Sequence, residues 1–272
     1  MTFGSPSGDD PAADGELLEQ GASGQLSGGY SRKSLRGTTL PTICMASSKG
    51  GCGKSTSAVV LASQLARRGV DVTMIDADPN RPVSAWAKRP GKPGNLTVLS
   101  SVTEATIIDE IERAAETTPF VIVDLEGTAS MTVAYAISRA DLVIVPVQGS
   151  QLDAAEAAKA IRLIRQQEKA FGRAIAYAAL LTRTSAAIRP RTLQHIKAEL
   201  EGAGVPIFET QMHEREAFRA IFSFGGTVES LSAGQVGGLE GAVANARAFA
   251  GEVLNVLRRP AAKRAPEAEP VA

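Results

Sequence analysis

The chain has 272 residues with 29 basic and 29 acidic side chains, a formal net charge of +0, so no global field draws it to nucleic acid. Aromatic residues make up only 4% of it, which argues against a base-stacking surface for single strands. The length suits one sizeable α/β domain and hardly two, and no apolar run reaches the roughly 18 residues that span a bilayer. Any duplex binding must therefore come from a local patch, or from one assembled on dimerisation.

Residues 1–38 are rich in Gly, Ser and Asp and poor in large apolar groups, the composition of a disordered N-terminal extension. The opening Met1-Thr-Phe-Gly-Ser-Pro-Ser-Gly has neither the basic start nor the apolar core of a secretory signal. The extension ends in a short basic cluster, Ser31-Arg32-Lys33-Ser34-Leu35-Arg36, which reads either as a solubilising linker or as a weak DNA or partner contact. A folded domain is expected over 39–258, and a polar, disordered C-terminal tail over 259–272. The two cysteines, Cys44 and Cys52, make no disulfide framework or metal cluster, which points to a reducing compartment, the cytosol.

A strand is predicted at 41–46, and the loop after it carries the most chemistry in the chain: Ser47-Ser48-Lys49-Gly50-Gly51-Cys52-Gly53-Lys54-Ser55-Thr56. The glycines free the backbone to point successive N–H groups at a phosphate. Lys54 is placed to reach the β- and γ-phosphates and Ser55 to ligate Mg²⁺. A helix predicted at 54–68 adds the positive end of its dipole. Strand, loop and helix together predict a nucleoside-triphosphate site over Lys49 to Thr56. Ser48 stands where the usual motif has its first glycine, and Lys49 is an extra cation. Lys49 lies too far back to serve the contact Lys54 makes in the same subunit. It either reaches across a dimer to a partner's nucleotide, as a trans arginine finger does, or is a solvated loop lysine.

Beyond the loop, apolar strand-like runs alternate with helical patterns. Strands are predicted at 71–76, 96–100, 119–124, 142–147, 174–182 and 206–209, and helices at 80–88, 103–117, 130–138, 152–171, 190–203, 214–223 and 239–258. The fold class is α/β: a single P-loop domain with a mostly parallel, helix-covered sheet. Met74-Ile75-Asp76-Ala77-Asp78-Pro79-Asn80 ends the second strand and Phe120-Val121-Ile122-Val123-Asp124 forms the fourth. Asp78 and Asp124 thus fall at the sheet edge that carries the phosphate loop, where open parallel sheets bind ligands. Trp86 reads as core or dimer-edge packing. Neither His195 nor His213 has ligand-spaced partners, so no transition-metal site is expected.

Lys49-Gly-Gly-Cys-Gly-Lys-Ser-Thr56 resembles the deviant Walker A loop of the ParA/MinD family of dimerising ATPases, and the two aspartate segments resemble the family's second motif and Walker B strand in order and spacing. The resemblance spans about residues 40–258. It implies ATP and Mg²⁺ as cofactors and a homodimer around two ATP molecules. Lys49 would act across that dimer with Lys54 on the phosphates, and Asp78 would orient the attacking water. Asp76 would support the metal, with Ser55 and Asp124 holding it. Met212-His213-Glu214-Arg215 is similar to the family loop near base and ribose, so Met212 and His213 join the nucleotide-binding candidates; a surface-loop histidine is the plainer reading of His213. Gln148-Gly-Ser-Gln-Leu-Asp153 resembles a segment near the dimer interface. Asp153 then either pairs with Lys49 or stabilises a helix N-terminus. Where the family follows its Walker B aspartate with Thr-Pro-Pro, this chain has Leu125-Glu126-Gly127, which leaves the coupling of hydrolysis to conformational change open.

The segments 76–82 and 212–218 resemble VirC-type ATPases of DNA transfer, and also small ParA-like positioning proteins. ParA-like dimers bind nonspecific duplex DNA through basic residues of the C-terminal half, here Arg183, Arg189, Arg191, Lys197 and Arg219, although acidic side chains are interleaved. The helix at 239–258 mixes charges on its polar face and is followed by Pro260, which favours packing on the sheet over a membrane anchor. The resemblance therefore implies a weak, Mg²⁺-dependent, partner-stimulated ATPase, cytoplasmic and nucleoid-associated, that positions a cargo through an unidentified partner. The alternatives are a VirC-like accessory of conjugal transfer and a MinD-like membrane-cycling regulator.

Overall fold

The computed structural model describes residues 1, 41–127, 130–187 and 190–258. The tails expected at 1–38 (after Met1) and 259–272 lie outside the described residues. Seven strands form one sheet in the order β3-β2-β4-β1-β5-β6-β7, every neighbouring pair parallel. They are β1 (Thr42–Met45), β2 (Val72–Ala77), β3 (Leu96–Leu99), β4 (Phe120–Leu125), β5 (Leu142–Val147), β6 (Ala176–Thr184) and β7 (Met212–His213). The helices are α1 (Lys54–Arg67), α2 (Pro82–Ala87), α3 (Ile107–Thr117), α4 (Met131–Arg139), α5 (Gln151–Phe171), α6 (Arg191–Gly202), α7 (Glu216–Phe224) and α8 (Leu239–Arg258).

Strand alternation divides the core in two. Ile43, Met45, Phe120, Ile122, Leu142 and Ile144 face a layer built by α1, α2, α7 and α8, with Leu61, Trp86, Phe218 and Phe249. Cys44, Val121, Val123, Val143 and Val145 face the layer of α3 to α6, with Ile111, Ile137, Ile164 and Ile196. Both faces being covered explains why the central strands read as unbroken apolar runs. Trp86 is core, its indole N–H donating to the Gly226 carbonyl at 2.9 Å. The α8 helix buries Ala242, Ala246, Phe249, Ala250, Val253 and Leu254, and Phe249 packs edge-on to Phe208. No helix among the described residues is long and apolar enough to cross a membrane.

Most elements lie within two residues of expectation; three differences have a clear local reason. The last strand lies at 212–213, not at 206–209. The earlier segment meets β6 only through the Ala179–Ile207 bridge. Pro206 has no N–H to extend a ladder, and the N–H groups of Glu209 and Thr210 donate instead to the Glu252 carboxylate at 2.7 and 2.8 Å. The α2 helix starts at Pro82, because Asp78 Oδ1 accepts from the Asn80 N–H (2.8 Å) and holds 78–81 as a turn. The α3 helix starts at Ile107, since Thr103 and Thr106 close a turn before it.

Candidate functional site

The loop after β1 and the first turn of α1 form one wall of a cleft of about 330 Å³. Gly51 (φ 74) and Gly53 (φ 96) supply the left-handed backbone the curl requires. The loop is held from three sides. Thr182 Oγ1 donates to the Cys52 carbonyl at 2.7 Å, Gln148 Nε2 to the Gly51 carbonyl at 2.8 Å, and Ser48 Oγ to the Glu156 carbonyl at 2.9 Å. Cys52 is buried and turns its Sγ inward to the Lys49 carbonyl, so only its backbone can serve a ligand. Lys54 is buried, its ammonium donating to the same carbonyl at 3.2 Å. Gly50, Gly51, Gly53, Lys54, Ser55 and Thr56 line the cleft, facing Asp78, Pro79, Asn80, Glu126, Gly127 and Arg183.

The carboxylates reach this place by register. Asp76 and Asp124 are direct neighbours on β2 and β4, and both share the parity of the residues facing α1 (Met74; Phe120 and Ile122). Both are fully buried. Asp76 Oδ2 accepts from the Ser84 N–H (2.7 Å) and hydroxyl (2.6 Å), which fixes it, while its Oδ1 has no hydrogen-bond partner. Neither oxygen of Asp124 has one. Burial pushes the Asp124 carboxyl up to about 7; Asp76 and Asp78 raise it further, while the nearby Ser55 hydroxyl and Lys54 hold it down. Buried oxygens without donors, beside a serine hydroxyl at a phosphate loop, suit a hard divalent cation shared with phosphate oxygens. Among the described residues no group of three or more His, Cys, Asp or Glu forms a self-sufficient metal site, so substrate oxygens would complete the shell.

Lys49 is half-exposed and donates to Asp153 Oδ1 at 2.8 Å within its own subunit. Asp153 is buried and also accepts from the Ser150 hydroxyl through Oδ2, at the start of α5. Both readings of Asp153 are thus realised together: it pairs with Lys49 and belongs to a capped helix N-terminus. Beside it Leu152 is 75% exposed.

A second, mostly apolar slot of about 60 Å³ adjoins the cleft, lined by Gly53, Thr56, Ser57, Thr182, Arg183, Met212, His213, Phe218 and Arg219 among others. His213 Nδ1 is 2.8 Å from Thr184 Oγ1, and burial and Arg215 lower its pKa. The basic candidates of the C-terminal half do not share one setting. Arg183 lines the cleft, and Arg189 lies outside the described residues. Arg191 is exposed at the start of α6, Lys197 pairs with Glu201 at 3.7 Å, and Arg219 is tied to Glu214 and Glu216 at 2.7 and 2.8 Å.

Sequence reasoning passed over Ser84 and Thr182, which buttress Asp76 and the loop, and over the contact of Gly127. A Cβ on Gly127 would lie 2.9 Å from the Gly50 nitrogen. The segment Leu125-Glu126-Gly127 therefore sits directly against the phosphate loop, and only glycine fits there. No sequence pattern marks these contacts: those of Thr182 and Gly127 join segments far apart in the chain, and that of Ser84 depends on the turn before α2.

The VirC1 protein family model matches residues 40–235. Protein ParA of Rhizobium radiobacter is 46% identical over 218 residues, 80% of this chain and 98% of that one. Maintenance of carboxysome distribution protein A of Halothiobacillus neapolitanus is 27% identical over 218 residues, 79% and 94% of the two chains. The ATP complex of McdA from Cyanothece superposes with a TM-score of 0.64 at 15% identity, over 82% of this chain and 99% of that one. With the phosphate loop, the in-register aspartates and the parallel sheet in place, the chain belongs to the VirC1 family of ParA/MinD-type P-loop ATPases.

Proposed function

We propose that the protein is an Mg²⁺-dependent ATPase that dimerises around ATP, binds duplex DNA without sequence preference in that state, and positions a cargo along the nucleoid. The observation that carries the reading is the convergence of Lys54, Ser55 and Asp78 on one cleft, with the buried, unpartnered Asp124 close behind Ser55 and Lys54. The likeness to ParA and to a carboxysome-distribution protein supports the positioning role. Backbone N–H groups of 50–56 cradle the phosphates and Lys54 neutralises them. Ser55 and Asp124 would hold Mg²⁺, with Asp76, fixed by Ser84, in support; bound there, it would supply Lewis-acid stabilisation of charge on the phosphoryl oxygens. Asp78 Oδ1 is occupied by the Asn80 N–H and amide, which leaves Oδ2 to orient the attacking water. Water then displaces ADP from the γ-phosphorus, and the proton it sheds leaves with phosphate. Catalysis is positioning and electrostatics, with no covalent intermediate.

Lys49 acts in trans: it leaves Asp153 when a second subunit presents its nucleotide, and Leu152 lies in the contact. A partner stimulates hydrolysis and releases the dimer. The deciding experiment is duplex-DNA binding by Asp78→Ala with ATP, with ADP and with no nucleotide, across a salt series. Binding with ATP only, steeply weakened by salt and indifferent to sequence, is the expected result; no binding in any state overturns the DNA role. The VirC1 match favours a second reading, an accessory of DNA transfer that recognises one element. A marked preference for a transfer-origin duplex over random duplex in the same assay would select it. The buried apolar face of α8 speaks against a membrane-cycling role.

A further inference from the structure

The end of β6 presents two fixed threonines with a distorted residue between them. Thr182 and Thr184 are buried, the first bonded to the Cys52 carbonyl, the second to His213 Nδ1. Thr182 pairs with Met212 and Thr184 with His213, adjacent residues of β7, so Arg183 is the extra residue of a β-bulge. Its φ is 52, and only Arg81 shares a left-handed backbone among the described non-glycine residues. Such a backbone is strained for a residue with a Cβ and persists only where its surroundings over-determine it.

The distortion has a geometric result. By alternation Arg183 would join Tyr177, Ala179 and Leu181 on the α3–α6 face of the sheet. Instead it lines both the phosphate cleft and the apolar slot, which also share Gly53 of the loop that leads into α1. Arg183 is exposed, and its guanidinium has no partner among the described residues. The slot lies along Gly53, Thr56 and Ser57, away from the wall formed by Asp78 and Glu126. A planar cation over an apolar slot is a receptor for a flat aromatic ring.

We infer that Arg183 is a nucleotide-contacting residue whose guanidinium stacks on the base of the bound nucleoside triphosphate, and that its left-handed backbone is retained to place it there. The inference rests on the ATP-site reading above and deepens it. The test measures affinity of the full chain for Mg-ATP and for Mg-tripolyphosphate, with the melting temperature, in the parent, Arg183→Ala, Arg183→Lys and Arg183→Gly. All three variants should lose about tenfold in ATP affinity, since a lysine does not stack as a planar fork does, and the loss for tripolyphosphate should be clearly smaller, with Arg183→Lys, which keeps the charge, closest to the parent. Arg183→Gly should also melt about 2–4 °C higher, because glycine adopts φ 52 without strain. A residue with a merely structural role would lose stability instead. ATP affinity unchanged in Arg183→Ala, an equal loss for tripolyphosphate, or a lower melting temperature for Arg183→Gly each overturns the proposal. A parent that fails to bind ATP overturns the site reading itself, an outcome distinct from the other three.

Discussion

The β2-β4-β1 half of the sheet and the β5-β6-β7 half meet at the same cleft but build their contributions differently. The first supplies charge and backbone N–H groups from short motifs: a loop of glycines with Lys54 and Ser55, and aspartates at strand ends brought together by register. The second supplies anchors and an apolar slot from residues some 30 positions apart, such as Thr182–Thr184 and Met212–Arg219. Phosphate recognition depends on backbone N–H groups and fixed charges, which short motifs can encode. Shape recognition of a base depends on packing, which is set by tertiary structure. Variants on the two sides should therefore fail in different ways.

The largest effect is expected at Lys54. Lys54→Ala removes the buried cation of the loop and should weaken ATP binding about a hundredfold or more, measured by calorimetry. Asp78→Ala should leave Mg-ATP affinity within a few fold and lower single-turnover hydrolysis by about 10²–10⁴, giving an ATP dimer that persists in size-exclusion chromatography. Lys49→Ala should bind ATP but neither dimerise nor hydrolyse it; a variant that does both like the parent ends the trans-lysine proposal. The pairing with Asp153 makes this informative, because Lys49 touches a carboxylate of its own subunit.

These residues were legible before the fold was known, and the contrast with the rest is physical. Asp76, Asp78 and Asp124 sit at strand ends, where alternation and the parallel topology place them at the loop whatever the details of packing. The same reasoning located the helices, because their apolar periodicity is long. It misplaced the final strand, whose fate turned on the missing N–H of Pro206 and on Glu252 more than forty residues away. It grouped Arg183 with the other basic residues of the C-terminal half; that a bulge and a positive φ set it on the cleft of the glycine loop is a feature residue type alone does not reveal.

A smaller effect isolates the metal position. Asp124 titrates at 3.8 when unperturbed and near 7 in the metal-free fold, raised mainly by burial. The folded state thus holds its proton more tightly than the unfolded chain. The stability this gives is fully present below about 3.8 and lost as pH rises through about 7. Asp124→Asn keeps the shape and removes the titration. In chelator, its melting temperature relative to the parent should climb as pH is raised from 5 to 8, and saturating Mg-ATP should stabilise the parent but not the variant. A constant difference across that range would show that the Asp124 carboxyl is not strained by burial.

The smallest effect concerns DNA and separates two arginines of the C-terminal half. Arg219 already spends its guanidinium on Glu214 and Glu216, whereas Arg191 is exposed and has no partner among the described residues. Each phosphate neutralised contributes about 0.9 to the slope of log affinity against log salt. In the ATP-trapped Asp78→Ala background, Arg191→Ala should therefore reduce that slope by about one. Arg219→Ala should leave it nearly unchanged, because breaking a pre-formed ion pair releases no counterion from DNA. Equal losses at both positions would mean that Glu214 and Glu216 surrender Arg219 on binding, and the neutral appearance of α7 would then be a property of the free protein alone.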